Sequence, residues 1–425
     1  MAALRAQALH LLRNLAAQAS AKKPALTGAL LVAQALSAIL FCLPAAAQKD
    51  SAEPGVKISV ASDHATASSA PAAIGTASDA TKKLIDDMVI YTMDEQQIPA
   101  LALTIVKDDH IIYQRCFGVC DLESKQPVTP QTIFGVAALS KTFTACSLLS
   151  LVDKKQIQLD APLSKYLDKL ADSWKPLTIR QLATMTAGIP SFNELHEKPW
   201  PEEFQIAQKQ TLLPAGSQYL NSNASYGTLG TVIEKVTGDS YIDALKKTIL
   251  APLSMNSTGT LVSLASGVSI VTPYDDEQGR GPLRKIKYFD PEVDYASETL
   301  FSNSDDLVKY TSALLHQQLL SKEDYKTMFV DRPPLANGKL VPWAFGWNIS
   351  ADSSYGDRTT ISVHGGTRGA APAILLFPDE HVSVIGLCNL RKPAVAGIID
   401  YAAKIYWRST NPTQPATGCP VPANE

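Results

Sequence analysis

The sequence offers a hydroxyl and an amine for nucleophilic chemistry in one stretch, Phe134 to Ala145, which reads FGVAALSKTFTA. Its apolar pattern predicts a buried helix over Leu139 to Val152, with Lys141 in the first turn. On a helix, a lysine can activate a serine three residues before it, because positions i and i+3 share a face. That position is Ala138, which has no hydroxyl. Ser140, the residue before Lys141, has a hydroxyl, but successive helix residues point about 100° apart, so it does not share the face of the lysine.

Two further polar stretches could belong to the same site. Tyr219-Leu220-Asn221, followed by Asn223, precedes a helical pattern over Tyr226 to Val236. A tyrosine can transfer protons as phenol and phenolate, whereas an asparagine amide cannot act as a base. His364-Gly365-Gly366 follows an apolar, β-branched run that predicts a strand.

Together these stretches resemble the three catalytic motifs of class C β-lactamases, low-molecular-weight penicillin-binding proteins and related esterases: S-x-x-K, Y-x-N, and K-T-G or H-x-G. The resemblance extends over roughly residues 80 to 408. It includes, in the family's order, the connecting segments 159–167, 177–190 and 300–307. It implies a nucleophilic serine, a tyrosine for proton transfer, an asparagine on the substrate amide, and a motif strand along the cleft.

The first motif departs from the family at its reactive residue. The family serine stands four residues after the phenylalanine and three before the lysine, and both counts lead to Ala138. An acyl-enzyme cannot form on a methyl side chain. Removing the nucleophile of a serine hydrolase costs on the order of 10⁶ in turnover.

The second motif admits two alignments. Tyr219-Leu220-Asn221 matches Y-x-N by its letters, but it requires two extra residues before Tyr226. The gap-free alignment, which we prefer, places Tyr219 at a structural aromatic position and Asn221 where the catalytic tyrosine belongs. Asn223 then takes the place of the family asparagine.

The third motif is also ambiguous. His364-Gly365-Gly366 fits H-x-G, yet the spacing from His364 to Gly369 is one residue shorter than is usual in the family. Val363 could equally occupy the first motif position, and His364 could be a strand-end residue without a role. The family's paired glycines before Leu300 are replaced by Glu298-Thr299, which places a carboxylate near the expected cleft mouth.

These departures predict a family member that has lost its chemistry and acts by binding. The alternative is an active serine hydrolase, an esterase, DD-peptidase or β-lactamase-like enzyme, with a rearranged site that uses Ser140 and Lys141. The expected ligand is a small molecule or peptide with a carbonyl or carboxylate. A cell-wall peptide, a partner protein and an ester-like metabolite remain open. The chain has no G-x-S-x-G elbow and no P-loop motif.

The predicted elements that position the site lie at both ends of the domain. A helix over 81–93 precedes strands over 100–106 and 111–119, which form a hairpin across 107–110. A helix-rich stretch follows, including Leu163 to Leu170 and Ile179 to Thr184. Strands return over 345–349, 360–363, 373–377 and 382–388, before a closing helix over 394–407. This order predicts an α/β protein of the α+β type: one antiparallel sheet from N- and C-terminal strands, flanked by helices, with an inserted helical subdomain over about 139–300.

The ends of the chain predict export. Basic residues, an apolar run over 25–43 and small residues at Ala45 and Ala47 are typical of a cleaved signal peptide over residues 1–47. A flexible linker over 48–77, the β-lactamase-like domain over 78–408 and a Pro-rich tail over 409–425 are expected to follow. We expect a periplasmic or extracellular protein, with membrane attachment only if the leader stays uncleaved.

Charge and cysteine content exclude other partners. A net charge of −3 with scattered basic residues gives no basis for nucleic-acid binding. No His/Cys cluster has zinc spacing, and we predict no metal and no cofactor. Cys146 and Cys388 lie in apolar runs and are expected to be buried, unpaired side chains.

Overall fold

The computed structural model describes residues 72–190, 198–276, 282–288, 291–350, 353–356, 358–367, 369–390 and 394–410. The leader, most of the linker and the tail after residue 410 lie outside these ranges. Residues 74–77, at the end of the expected linker, are described and hydrogen-bond to the backbone of residues 111–114. Within the described ranges, no helix combines the length and apolar composition that crossing a bilayer requires.

The ten helices described here are numbered in chain order. They are α1 (Asp79–Glu95), α2 (Ser140–Asp153), α3 (Ile179–Ala183), α4 (Trp200–Ala207), α5 (Asn223–Thr237), α6 (Tyr241–Leu245), α7 (Pro291–Glu298), α8 (Ser304–Leu315), α9 (Lys322–Phe329) and α10 (Ala394–Thr410). A 3₁₀ turn, Ala137–Leu139, leads directly into α2.

The strands are numbered in the same way. They are β1 (Ala100–Lys107), β2 (His110–Gly118), β3 (Phe134–Gly135), β4 (Gly259–Thr260), β5 (Tyr274–Asp276), β6 (Leu283–Lys285), β7 (Leu300–Ser302), β8 (Trp343–Ala344), β9 (Trp347–Ser350), β10 (Thr360–His364), β11 (Ala373–Phe377) and β12 (Val382–Cys388).

Seven strands form the main sheet, in the order β2-β1-β12-β11-β10-β9-β8, with antiparallel neighbours throughout. The predicted α+β fold, with one sheet built from both ends of the domain, is therefore confirmed. The hairpin between β1 and β2 turns through Asp108 and Asp109, whose φ values of 47° and 64° are those of a two-residue type I′ turn.

The sheet is buried on both faces. In β1, Leu101, Leu103 and Ile105 belong to the core cluster shared with α1 and α10. Ala100 and Ala102 belong to the cluster on the opposite face, shared with α2 and the inserted helices. Side chains alternate between faces along a strand, so such a strand must be apolar at nearly every position.

Several predicted elements have the expected bounds, and two differ. The strand predicted over 345–349 starts only at Trp347, because Phe345 and Gly346 form the turn between β8 and β9. Strands β11 and β12 match residue for residue, and α5 ends at Thr237 and is capped by Gly238, whose φ of 73° is that of a left-handed helix cap. The helix predicted over Leu163 to Leu170 is only a 3₁₀ turn, Leu163–Lys165. The backbone N–H groups of Leu163 and Ser164 donate to Leu177 O and Lys175 O, contacts with a later segment that local periodicity does not encode.

The cysteines behave as their apolar surroundings predict. Cys146 and Cys388 are buried and unpaired, as are Cys116 and Cys120. Burial raises the pKa of the Cys388 thiol to about 11, so this side chain stays protonated and acts as a small apolar group.

Candidate active site

Ala138 lies at the middle of the 3₁₀ turn that precedes α2. Its neighbours Ala137 and Leu139 are buried, whereas Ala138 is partly exposed and is the member of the turn that reaches the surface. Ala137 has a φ of 41°, which is rare for a residue with a Cβ and is found where surrounding structure imposes strain. The backbone thus presents residue 138 outward, although its side chain is a methyl group.

Gly365, directly after β10, packs against this turn. A Cβ placed on Gly365 would lie 2.7 Å from the backbone N of Ala138 and 2.9 Å from its Cβ. Contacts this short do not occur between real side chains, so only glycine lets the two segments approach so closely. The end of β10 is therefore the element that lies beside position 138, as the resemblance to the third motif implies.

His364 lies on the opposite face of the sheet from Ala138. Val363 is buried in the core shared with α2, on the face that Gly365 also presents to Ala138. His364 alternates with them and, together with Ser362 and Asp400, lines a cavity of ≈ 140 Å³ beneath α10. Val363, and not His364, therefore lies on the face of the sheet that carries Ala138. Arg368, in the same stretch, lies outside the described residues.

Lys141 is buried and paired. Its Nζ donates to the backbone O of Ser297 at 3.3 Å and to Glu298 Oε1 at 3.3 Å. Only 2% of the Lys141 side chain is exposed, against 13% for Glu298. A buried ammonium requires partners of this kind, because desolvation without compensation is costly. The position of Glu298 in the sequence predicts a carboxylate near the cleft, but nothing in the local sequence identifies it as the partner of Lys141.

Ser140 is fully buried at the start of α2. Its Oγ accepts a hydrogen bond from the backbone N–H of Leu300 at 3.1 Å. Leu300 O in turn accepts from the N–H of Val136 at 2.9 Å. Ser140 therefore fastens β7 to α2, and its hydroxyl does not reach the surface on which Ala138 lies.

The residues of the second motif have different environments. Tyr219 is half-buried against the core, and this burial raises the pKa of its phenol to about 12. Asn221 is exposed, and Asn223 is the partly exposed first residue of α5. Neither asparagine accepts a hydrogen bond from Lys141, whose described partners lie on α7.

The site thus brings together Ala138, Lys141, Glu298 and Gly365, while His364 is turned away.

Comparison with known proteins identifies the family. A family model described as Beta-lactamase matches residues 85–405, about three quarters of the chain. This chain belongs to the beta-lactamase family. It is similar to Penicillin-binding protein 4* of Bacillus subtilis, with 26% identity over 66% of this chain and 65% of that protein. It is also similar to Protein flp of Staphylococcus aureus, with 23% identity over 76% of this chain and 66% of that protein.

Solved structures show the same fold. The octameric penicillin-binding protein homologue from Pyrococcus abyssi matches with a TM-score of 0.67 and 24% identity, over 78% of this chain and 77% of that one. A crystal structure of SurE matches with a TM-score of 0.63 and 21% identity, over 81% of this chain and 79% of that one. The chain spans slightly less than two thirds of the length of the two sequence relatives named above.

Proposed function

We propose that this chain is an exported beta-lactamase-family protein that binds a carbonyl-bearing ligand without forming an acyl-enzyme. The observation that carries the proposal is the methyl group of Ala138 at the point where the strained turn, Lys141 and Gly365 meet. The backbone N–H of residue 138 remains, and N–H groups at the start of a helical turn have no partner within that turn. The N–H of Ala138 can therefore bind a carbonyl oxygen, although the side chain of Ala138 is not a nucleophile.

The environment of Ser140 supports loss of chemistry over a relocated nucleophile. A nucleophile must reach the substrate carbonyl and be deprotonated by a nearby base. Ser140 Oγ is buried and accepts from Leu300 N, and Lys141 is directed to Ser297 and Glu298 instead. An active hydrolase that uses Ser140 and Lys141 would have to break both arrangements.

Activity and covalency provide the first test. The purified chain should not hydrolyse nitrocefin or short p-nitrophenyl esters faster than its Lys141→Ala variant. Intact-mass spectra after incubation with a fluorescent penicillin or a fluorophosphonate should show no adduct. Saturable turnover that disappears in Ser140→Ala, or an adduct mapped to a serine near Lys141, would establish the active-enzyme alternative.

Restoring the missing groups provides the complementary test. Ala138→Ser alone should stay unreactive, because Glu298 holds the lysine that would take up the serine proton. Ala138→Ser combined with Glu298→Gly should remove the carboxylate that stabilises the Lys141 ammonium, so that the lysine can take up the serine proton as a neutral amine. This double variant should give a slow, stoichiometric adduct with the fluorescent penicillin. If Ala138→Ser alone acylates as fast as the double variant, Glu298 does not restrain Lys141.

Export is tested separately. Expressed from its full-length gene in a Gram-negative host, the protein should be recovered from the periplasm with a mature N-terminus near residue 48. Recovery of the intact chain in the membrane fraction would instead support an uncleaved anchor.

A further inference from the structure

We infer that Glu298 selects the ligand of this cleft by charge, and that the ligand presents an ammonium or amide N–H, not a carboxylate, beside its carbonyl. The inference rests on the proposed function, because it concerns the ligand bound next to Ala138. Its basis is that Lys141 is more deeply buried than Glu298 and that the Lys141 ammonium is hydrogen-bonded to the Glu298 carboxylate.

The exposed member of the pair is the negative one. The Lys141 side chain is 2% exposed and lies beneath Glu298, which is 13% exposed. Lys141 Nζ is already paired with Ser297 O and Glu298 Oε1. A ligand carboxylate approaching this lysine would meet the Glu298 carboxylate first, and like charges at short range repel. The lysine therefore provides no anion site.

The second oxygen of Glu298 is available to a ligand. Among the described residues, the hydrogen bond to Glu298 comes from Lys141 and ends on Oε1. An ionised carboxylate has about four acceptor positions on its two oxygens. A ligand ammonium or amide could donate to Oε2, and such charge-assisted bonds are stronger than those between neutral groups.

Backbone hydrogen bonds hold Glu298 beside the Ala138 turn. Leu300 lies two residues after Glu298. Its backbone O accepts a hydrogen bond from the N–H of Val136, and its N–H donates to Ser140 Oγ. Val136 and Ser140, the partners of Leu300 in these two bonds, lie on either side of Ala138 in the sequence. A ligand whose carbonyl accepts from the Ala138 N–H therefore has its neighbouring groups near Glu298.

Three dipeptides that differ in charge test the inference. They are N-acetyl-D-alanyl-D-alanine, with a carboxylate; its C-terminal amide, which is neutral; and D-alanyl-D-alaninamide, with an ammonium. Titration calorimetry at pH 7 with the full chain should show that the ammonium and neutral peptides bind about tenfold more tightly than the carboxylate peptide, the size of one favourable charged contact. Glu298→Gln should remove this preference and tighten carboxylate binding about tenfold.

Two further variants control the experiment. Glu202→Gln, a neutralisation on the exposed surface of α4, should keep the native order of affinities. Lys141→Met with Glu298→Gln removes both charges and should abolish the preference, which provides a second test if Glu298→Gln does not fold. The three affinities of the native chain decide the order without any variant.

The outcomes separate the inference from the proposed function. Tightest native binding of the carboxylate peptide, or an unchanged order in Glu298→Gln, overturns the charge selection and leaves binding at the cleft intact. If neither the native chain nor Glu298→Gln binds any of the three peptides, the cleft does not recognise such ligands. The proposed function then fails, and the inference fails with it.

Discussion

The Lys141–Glu298 pair allows a quantitative test of how burial sets the strength of an ion pair. The chain contains a matched exposed pair, Lys198 and Glu202, with an N···O distance of 3.2 Å against 3.3 Å in the buried pair. Half or more of each exposed side chain is accessible, 50% for Lys198 and 59% for Glu202. The distances are nearly equal, so burial is the main difference between the pairs.

The expected magnitudes follow from what each substitution leaves behind. Glu298→Gln leaves a buried ammonium with the carbonyl of Ser297 and a neutral amide, and breaking a fully buried pair costs about 3–5 kcal/mol. Because glutamine can still accept a hydrogen bond, we expect the free energy of unfolding to fall by about 2–3 kcal/mol. Lys141→Met leaves the partly hydrated Glu298 carboxylate and should cost about 1–2 kcal/mol.

A double-mutant cycle isolates the pair itself. The cycle of Lys141→Met and Glu298→Gln, measured by urea denaturation at pH 7, should give a coupling energy of about 1–3 kcal/mol, as expected for groups in direct contact. The cycle at Lys198 and Glu202 should give about 0.5 kcal/mol or less. Equal coupling energies in the two cycles would refute the argument that Glu298 neutralises a buried lysine.

Three other substitutions test the packing and titration of the fold. Gly365→Ala should destabilise the protein by about 1–3 kcal/mol in urea denaturation, because the new Cβ would collide with the 3₁₀ turn at Ala138. Gly397→Ala in α10 is the control, because a Cβ there meets open space, and it should be neutral or stabilising. Ser140→Ala should cost about 1–2 kcal/mol, because it leaves the buried N–H of Leu300 without its acceptor, and a neutral result would contradict that role. Burial and a neighbouring carboxylate raise the pKa of Asp324 to about 7. An aspartate titrates near pH 3.9 in the unfolded chain, so native stability should fall as the pH rises from about 4 to 7. Asp324→Asn should therefore gain about 1–2 kcal/mol relative to the native chain across that range, after allowance for solvent screening, and a pH-independent difference would refute the shift.

The sequence by itself determined the architecture and the missing hydroxyl. Strands buried on both faces must be apolar at nearly every position, which is why β11 and β12 could be predicted residue for residue. The apolar residues spaced along the helix that carries Lys141 predict its burial, which extends from Ser140 to Leu151, and the i, i+3 spacing of a helix predicts that Ala138 shares a face with the lysine. Both conclusions depend on local spacing, which is written directly in the chain.

Tertiary structure decided the electrostatics and the face of each motif. Glu298 lies 157 residues after Lys141, and only the packing of α7 against α2 brings their charges together. His364 matched the third motif by its letters, but the pairing of β10 with β11 sets which way each side chain points, and a shift of one residue reverses every face. Local sequence does not encode pairing partners so distant along the chain, so the partner of the buried lysine and the orientation of the histidine could be read only from the folded protein.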